Sequence, residues 1–129
     1  MKEKKKVLIV DDEPDIVILL KSRFESNGFK TIGVYNGKEA IDKARQEKPD
    51  IILLDLLMPV MDGYEAMRCL RKDEKTRDIP IILFTAAPPE KVIQKGDDTM
   101  QAIDFVIKPF DEGALSTLLT RVQQLTRCD

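Results

Sequence analysis

Five short apolar runs punctuate the chain: KVLIV at 6–10, KTIGVY at 30–35, DIILLD at 50–55, PIILF at 80–84 and IDFVI at 103–107. Most are continuous and β-branched, without polar alternation. Such runs suit strands of a sheet covered on both faces. Between them the apolar spacing turns helical. PDIVILLKSRFES puts Ile16, Leu19, Leu20 and Phe24 on one stripe. Pro14 suits a first helical position and Gly28 a stop signal. NGKEAIDKARQEK opens on Asn36 as N-cap, has Glu39 three residues later, and ends before Pro49. DGYEAMRCLRKD places Asp62 and Glu65 in the same relation. PPEKVIQKG, 88–96, predicts a short fourth helix between a Pro-Pro start and Gly96. DEGALSTLLTRVQQL predicts a fifth, with Leu115, Leu118, Leu119, Val122 and Leu125 on one face.

The predicted order is therefore strand–helix, five times over. Strict alternation implies a parallel sheet with right-handed crossovers. The pattern shows no repeat, no linker and no low-complexity tract, so residues 1–129 are expected to form one domain. One position breaks the apolar pattern. In IILLDLLMP, 51–59, Asp55 interrupts what reads as a buried strand. A buried ionised carboxylate is costly unless it is paired or binds a metal.

Composition narrows the chemistry. The chain has 43% apolar and 34% charged residues and a net charge of −2, an ordinary globular balance. Bulk charge gives no reason to expect nucleic acid or an anionic membrane as partner. No apolar run approaches the roughly 20 residues of a membrane span. The basic start MKEKKK is followed by too short an apolar run for a signal peptide. There is no histidine, which excludes a Ser-His-Asp triad, a histidine base and a histidine-ligated metal. Cys69 and Cys128 form no metal-binding cluster, and reduced, structural thiols in a cytoplasmic protein are expected.

The acids fall at strand ends. Open α/β sheets bind ligands beyond the carboxyl ends of their strands, where the strand order reverses. The first strand runs into Asp11, Asp12 and Glu13, the third into Asp55, the fourth into Thr85 and the fifth into Lys108-Pro109. In a flavodoxin-like order, 2-1-3-4-5, the first and third strands are neighbours at the reversal. Asp11, Asp12 and Asp55 would then meet. Carboxylates so placed either take up protons or gather around a hard cation such as Mg²⁺. Thr85 would add a hydroxyl and Lys108 a fixed positive charge, both suited to phosphoryl oxygens. The set is a kit for phosphoryl transfer onto an aspartate. Singly, each residue has a plainer reading. An acid pair after a strand also caps helices, a strand threonine is ordinary, and Lys-Pro is a common loop.

VLIVDDEPDI, DIILLDLLMPVMDGYE, PIILFTA and DFVIKPF together resemble the response-regulator receiver domains of two-component signalling. The resemblance runs in order over essentially the whole chain. It implies a (βα)5 three-layer sandwich, with Asp55 as phosphoacceptor and Asp11 and Asp12 as the acidic pair for Mg²⁺. Asp12 would bind the ion directly and Asp11 largely through water, with the Leu57 carbonyl completing the protein ligands. Thr85 resembles the switch hydroxyl, Lys108 the lysine that pairs with the phosphoryl group, and Phe105 the switch aromatic. Pro109 would follow a cis peptide. The implied donor is a histidine kinase or phosphotransfer protein, and the implied target a downstream protein or output domain. The domain would catalyse only its own phosphotransfer and slow autodephosphorylation. Dimerisation through the face of the fourth helix, fifth strand and fifth helix is left open. No DNA-binding segment is expected in 1–129.

Departures from the family pattern lie before the last strand. Gln101-Ala102 stands where Gly-Ala is usual, and Pro88-Pro89 closely follows Thr85. They motivate a second reading, a phosphorylation-independent interaction module on the same fold. A third, an Asp-based phosphohydrolase, is disfavoured because Leu57 stands where its second acid belongs. Leu57 and Ala87 occupy positions that tune water access in the family. Neither side chain can hydrogen-bond water, so slow loss of the phosphoryl group is expected.

Overall fold

The computed structural model describes residues 4–55, 63–85, 104–107 and 112–126. Five strands, β1 (Lys6–Val10), β2 (Lys30–Val34), β3 (Ile51–Leu54), β4 (Ile81–Thr85) and β5 (Asp104–Ile107), form one parallel sheet in the order β2-β1-β3-β4-β5. Four described helices accompany them: α1 (Pro14–Glu25), α2 (Gly37–Glu47), α3 (Gly63–Lys72) and α4 (Glu112–Thr126). The predicted helix at 88–96 and the predicted cap Asp62 lie outside the described residues.

Alternate strand residues feed two cores. Leu8, Val10, Ile52, Leu54, Ile81 and Leu83 pack with Ala40 and Ala44 of α2 and Ala66, Met67 and Leu70 of α3. Val7, Ile9, Ile51, Leu53, Ile82 and Phe84 pack with α1 and α4 on the other face. Both faces are covered, which explains the continuous apolar runs. Each fully buried Val, Leu or Ile contributes on the order of 1.5–3 kcal/mol. From β1 the chain moves to β2 through α1, then crosses back to β3 through α2. That change of direction puts α1 and α2 on opposite faces and opens the crevice between the ends of β1 and β3.

Local chemistry sets the helix ends. Asn36 caps α2 by accepting the Glu39 N–H at 2.9 Å. Pro14 starts α1, as predicted. At the far end, Gly28 adopts a left-handed φ of +90°. The turn lets the Phe29 N–H reach the Phe24 carbonyl at 3.1 Å, and the two rings meet edge to face at 5.5 Å. After α3, the buried Thr76 hydroxyl donates to the Leu70 carbonyl at 2.6 Å. Arg71 donates to the carbonyls of Arg77 and Ile79 at 2.9 and 2.8 Å. These bonds hold the approach to β4. Burial pushes the Arg71 guanidinium below its ordinary value, with nearby Asp78 opposing.

Two predicted helix stripes are corrected. In α1 the buried line is Val17, Leu20 and Phe24, with Ile16 packed beside it; Leu19 is 39% exposed. Val17 and Leu19 lie about 200° apart around a helix, so only one can face the sheet. Gly33 decides which. A Cβ on Gly33 would lie 2.5 Å from Val17 Cγ1, so the missing side chain on β2 is the space Val17 occupies. In α4, Leu115, Leu118 and Val122 are buried and Leu119 packs at their margin. Leu125 is 39% exposed, and buried Thr126 takes the inner position, its hydroxyl donating to the Val122 carbonyl.

Gly33→Ala should therefore overpack the α1–β2 contact and cost about 1–3 kcal/mol, measured by urea denaturation. The penalty should shrink when Val17→Ala is also present. Equal penalties in both backgrounds would show that Val17 is not what the glycine accommodates.

Candidate functional site

The sheet register builds the site. Val10 pairs with both Val34 and Leu54. One residue further, the Asp11 N–H donates to the Val34 carbonyl at 3.2 Å and the Asp55 N–H to the Val10 carbonyl at 3.0 Å. Asp11 and Asp55 are thus the first residues past their strands, on adjacent strands and at the same edge. Each carboxylate of Asp11, Asp12 and Asp55 offers an oxygen within 4.8 Å of the others. Asp11 is fully buried and Asp55 is 2% exposed; Asp12 is half-buried. The three predicted acids are brought together.

Asp11 does two jobs. Its Oδ1 accepts the Glu13 N–H at 2.9 Å, two residues on, and so shapes the entry to α1. Glu13, the N-cap residue, makes no side-chain cap of its own. The cap reading of the acid pair does not hold: Asp11 joins the acid cluster and fixes the turn before α1 without capping the helix. Two oxygens leave Asp11 that freedom.

The donor set suits a hard divalent cation. Carboxylate oxygens are the preferred ligands of such ions. Opposite oxygens around Mg²⁺ are separated by about 4.2 Å, twice the metal–oxygen distance, so the observed span needs only small side-chain movement. Burial also matters. A buried carboxylate without partners would cost more than one buried leucine returns, so two at one edge call for compensating contacts.

The remaining predicted residues are placed less fully. Thr85 closes β4 and pairs with Ile107 at the end of β5, the residue before Lys108. The backbone of Phe105 lies in β5, paired with Leu83. Leu57, Lys108, Pro109 and Ala87 lie outside the described residues, as does Cys128. Cys69, expected to be structural, is instead an exposed free thiol on α3. Among the described residues, no helix is long and apolar enough to cross a membrane.

One contact goes beyond the predicted cap of α2. Glu39 Oε1 accepts the N–H of Tyr35, the residue before the N-cap, at 3.0 Å. The Asn-x-x-Glu spacing signals the turn, but not which amide the carboxylate reaches.

A family profile described as the response regulator receiver domain matches residues 7–120. The chain belongs to that family. Protein PilH of Pseudomonas aeruginosa is 38% identical over 119 residues, covering 91% of this receiver and 96% of PilH. The alkaline phosphatase synthesis transcriptional regulatory protein PhoP of Bacillus subtilis is 41% identical over 106 residues, covering 82% of this receiver but 43% of PhoP. Thus the chain spans nearly all of one relative and less than half of the other. Among solved structures, the chemotaxis response regulator CheY4 of Vibrio cholerae superposes with a TM-score of 0.82 at 32% identity, covering 93% of this chain and 99% of CheY4. The receiver domain of a Pseudomonas aeruginosa sensor histidine kinase gives 0.78 at 30% identity, covering 92% of this chain and 97% of that domain. That structure has a magnesium ion coordinated in its active-site cleft. The receiver is a signalling domain rather than a metabolic enzyme.

The close carboxylates carry an electrostatic consequence. In metal-free buffer at low ionic strength, Asp12→Asn should raise stability by about 1 kcal/mol, because it removes one of three like charges. Added salt should shrink the gain. Denaturation curves at two salt concentrations check both; an unchanged or lower stability would mean that the repulsion is already offset.

Proposed function

We propose that residues 1–129 act as a single, cytoplasmic receiver domain that takes a phosphoryl group onto Asp55. The observation that carries this reading is the joining of Asp11, Asp12 and Asp55 at the carboxyl edge of the sheet. A histidine kinase or phosphotransfer protein would be the donor. An Asp55 carboxylate oxygen attacks phosphorus, the phosphorus–nitrogen bond of the donor phosphohistidine breaks, and its imidazole leaves. A small acyl phosphate can replace the donor, with a carboxylate leaving instead.

Asp11, Asp12, Asp55 and the Leu57 carbonyl would hold Mg²⁺, which offsets negative charge on the phosphoryl oxygens when bound. Asp12 is the less buried member of the acid pair and suits direct contact with the ion. Asp11, occupied in part by the Glu13 amide, suits contact through water. Lys108 supplies a fixed positive charge, and Thr85 a hydroxyl for a phosphoryl oxygen. Phe105 follows Thr85 in the switch. The added charge then biases an inactive–active equilibrium. A downstream protein or output domain reads the result. The chain promotes its own phosphotransfer and slow dephosphorylation and turns over no other substrate.

Incubation with acetyl phosphate and Mg²⁺ should give one phosphoryl adduct by intact mass. Asp55→Asn or removal of Mg²⁺ should abolish it. No adduct, while another receiver labels in parallel, would overturn the assignment. Equal partner affinity with and without the adduct would favour the phosphorylation-independent module.

The lifetime gives a second test. Leu57 and Ala87 offer attacking water no side-chain hydrogen bond, so the adduct should decay slowly. Leu57→Asn or Ala87→Glu should accelerate decay severalfold. Unchanged decay in both variants would remove water access through these positions as the explanation.

A further inference from the structure

We infer that Glu39, an exposed residue on α2, is a positioning residue for the metal-site carboxylate Asp11. The inference rests on the proposed role of Asp11 and adds a residue outside the acid cluster to it. The connection is a short chain of backbone bonds. Glu39 Oε1 accepts the Tyr35 N–H at 3.0 Å, and the Glu39 N–H donates to Asn36 Oδ1 at 2.9 Å. Together they clamp the turn from β2 into α2. Tyr35 follows Val34 directly, and the Val34 carbonyl accepts the Asp11 N–H at 3.2 Å. Val34–Val10 is the last paired position of β2 and β1. Beyond it, the Asp11–Val34 bond prolongs the β1–β2 ladder to the acid itself.

The geometry makes this bond vulnerable. At 3.2 Å it is at the long end for an N–H···O bond. Among the described residues β2 is the edge strand, and no described strand lies on the outer side of the peptide after Val34. Glu39 supplies a partner to the first amide past β2. Without it, the Tyr35 peptide is free to turn toward water, and the Val34 carbonyl moves with it. Asp11 would keep its Glu13 bond but lose its fixed backbone position. Partners that orient metal ligands typically change metal affinity by about 10- to 100-fold. Glu39 acts through an intervening peptide, so a smaller effect, about threefold, is expected.

Three variants separate this role from simple helix capping. Glu39→Ala removes the acceptor. Glu39→Gln keeps an oxygen at the same reach. Asp42→Gly, at another exposed α2 position, weakens the helix without touching the turn. Two readouts apply: hydrogen exchange of the Asp11 amide in metal-free protein, and Mg²⁺ affinity by calorimetry. Glu39→Ala should speed Asp11 exchange severalfold and weaken Mg²⁺ binding about threefold. Glu39→Gln should restore both, and Asp42→Gly should change neither.

Unchanged Mg²⁺ affinity in Glu39→Ala, with the unaltered chain binding Mg²⁺, would overturn the inference and leave the site assignment standing. Equal losses in Asp42→Gly and Glu39→Ala would reduce Glu39 to a helix cap and overturn it too. An unaltered chain that binds no Mg²⁺ would overturn the site assignment itself, a result distinct from either.

Discussion

The hydrogen bond from the Asp55 N–H to the Val10 carbonyl sets the terms for the rest of the molecule. It continues the parallel ladder between β1 and β3 one step beyond the last apolar pair, Val10 and Leu54. Residues that stand 44 positions apart in the chain become neighbours there, Asp11 beside Asp55. Parallel strands cannot be joined by a tight turn, so a helical crossover is needed on each side. The helices then have to cover both faces of the sheet. Two apolar cores follow from that requirement, and so does the run of fully buried residues along β1, β3 and β4.

The same ladder puts charge where the fold would not choose it. A buried carboxylate opposes folding unless it is hydrogen-bonded, paired or bound to an ion. Both acids fall at the sheet edge, one residue past the apolar pairs, beside the half-buried Asp12. Shifting either acid one residue back would place it between the two apolar cores. The apolar strands secure the geometry, and the acids use it. That division also explains why Asp11 accepts a backbone amide. The bond to Glu13 joins the end of β1 to the start of α1, so one carboxylate belongs to the acid cluster and also holds the helix entry.

Much of this was legible in the residues. The strand runs, the Asn36 cap, the Pro14 start and the acids at strand ends all depend on local chemistry, and local chemistry is written in order along the chain. The errors were orientational. Leu19 and Leu125 fit helical stripes by spacing, yet both are exposed. Apolar spacing allows several neighbouring stripes when a helix carries Ile16, Val17, Ile18, Leu19 and Leu20 in succession. The choice among them was made by Gly33, a residue on another element whose missing side chain admits Val17. Nothing in a single strand glycine announces such a partner. Likewise, the spacing of Asn36 and Glu39 marked a helix start, but not that Glu39 would hold the amide before the cap.

By itself, the sequence determined the alternation of strands and helices, the family, and which residue types could bear charge chemistry. These depend on short-range preferences and on motif order. Tertiary structure decided the strand order, the rotation of α1 and α4 against the sheet, and the meeting of Asp11, Asp12 and Asp55 within 4.8 Å. Those outcomes depend on contacts between residues far apart in the chain, where the volume of one side chain and the hydrogen bonds of another strand select among arrangements that local spacing leaves equivalent.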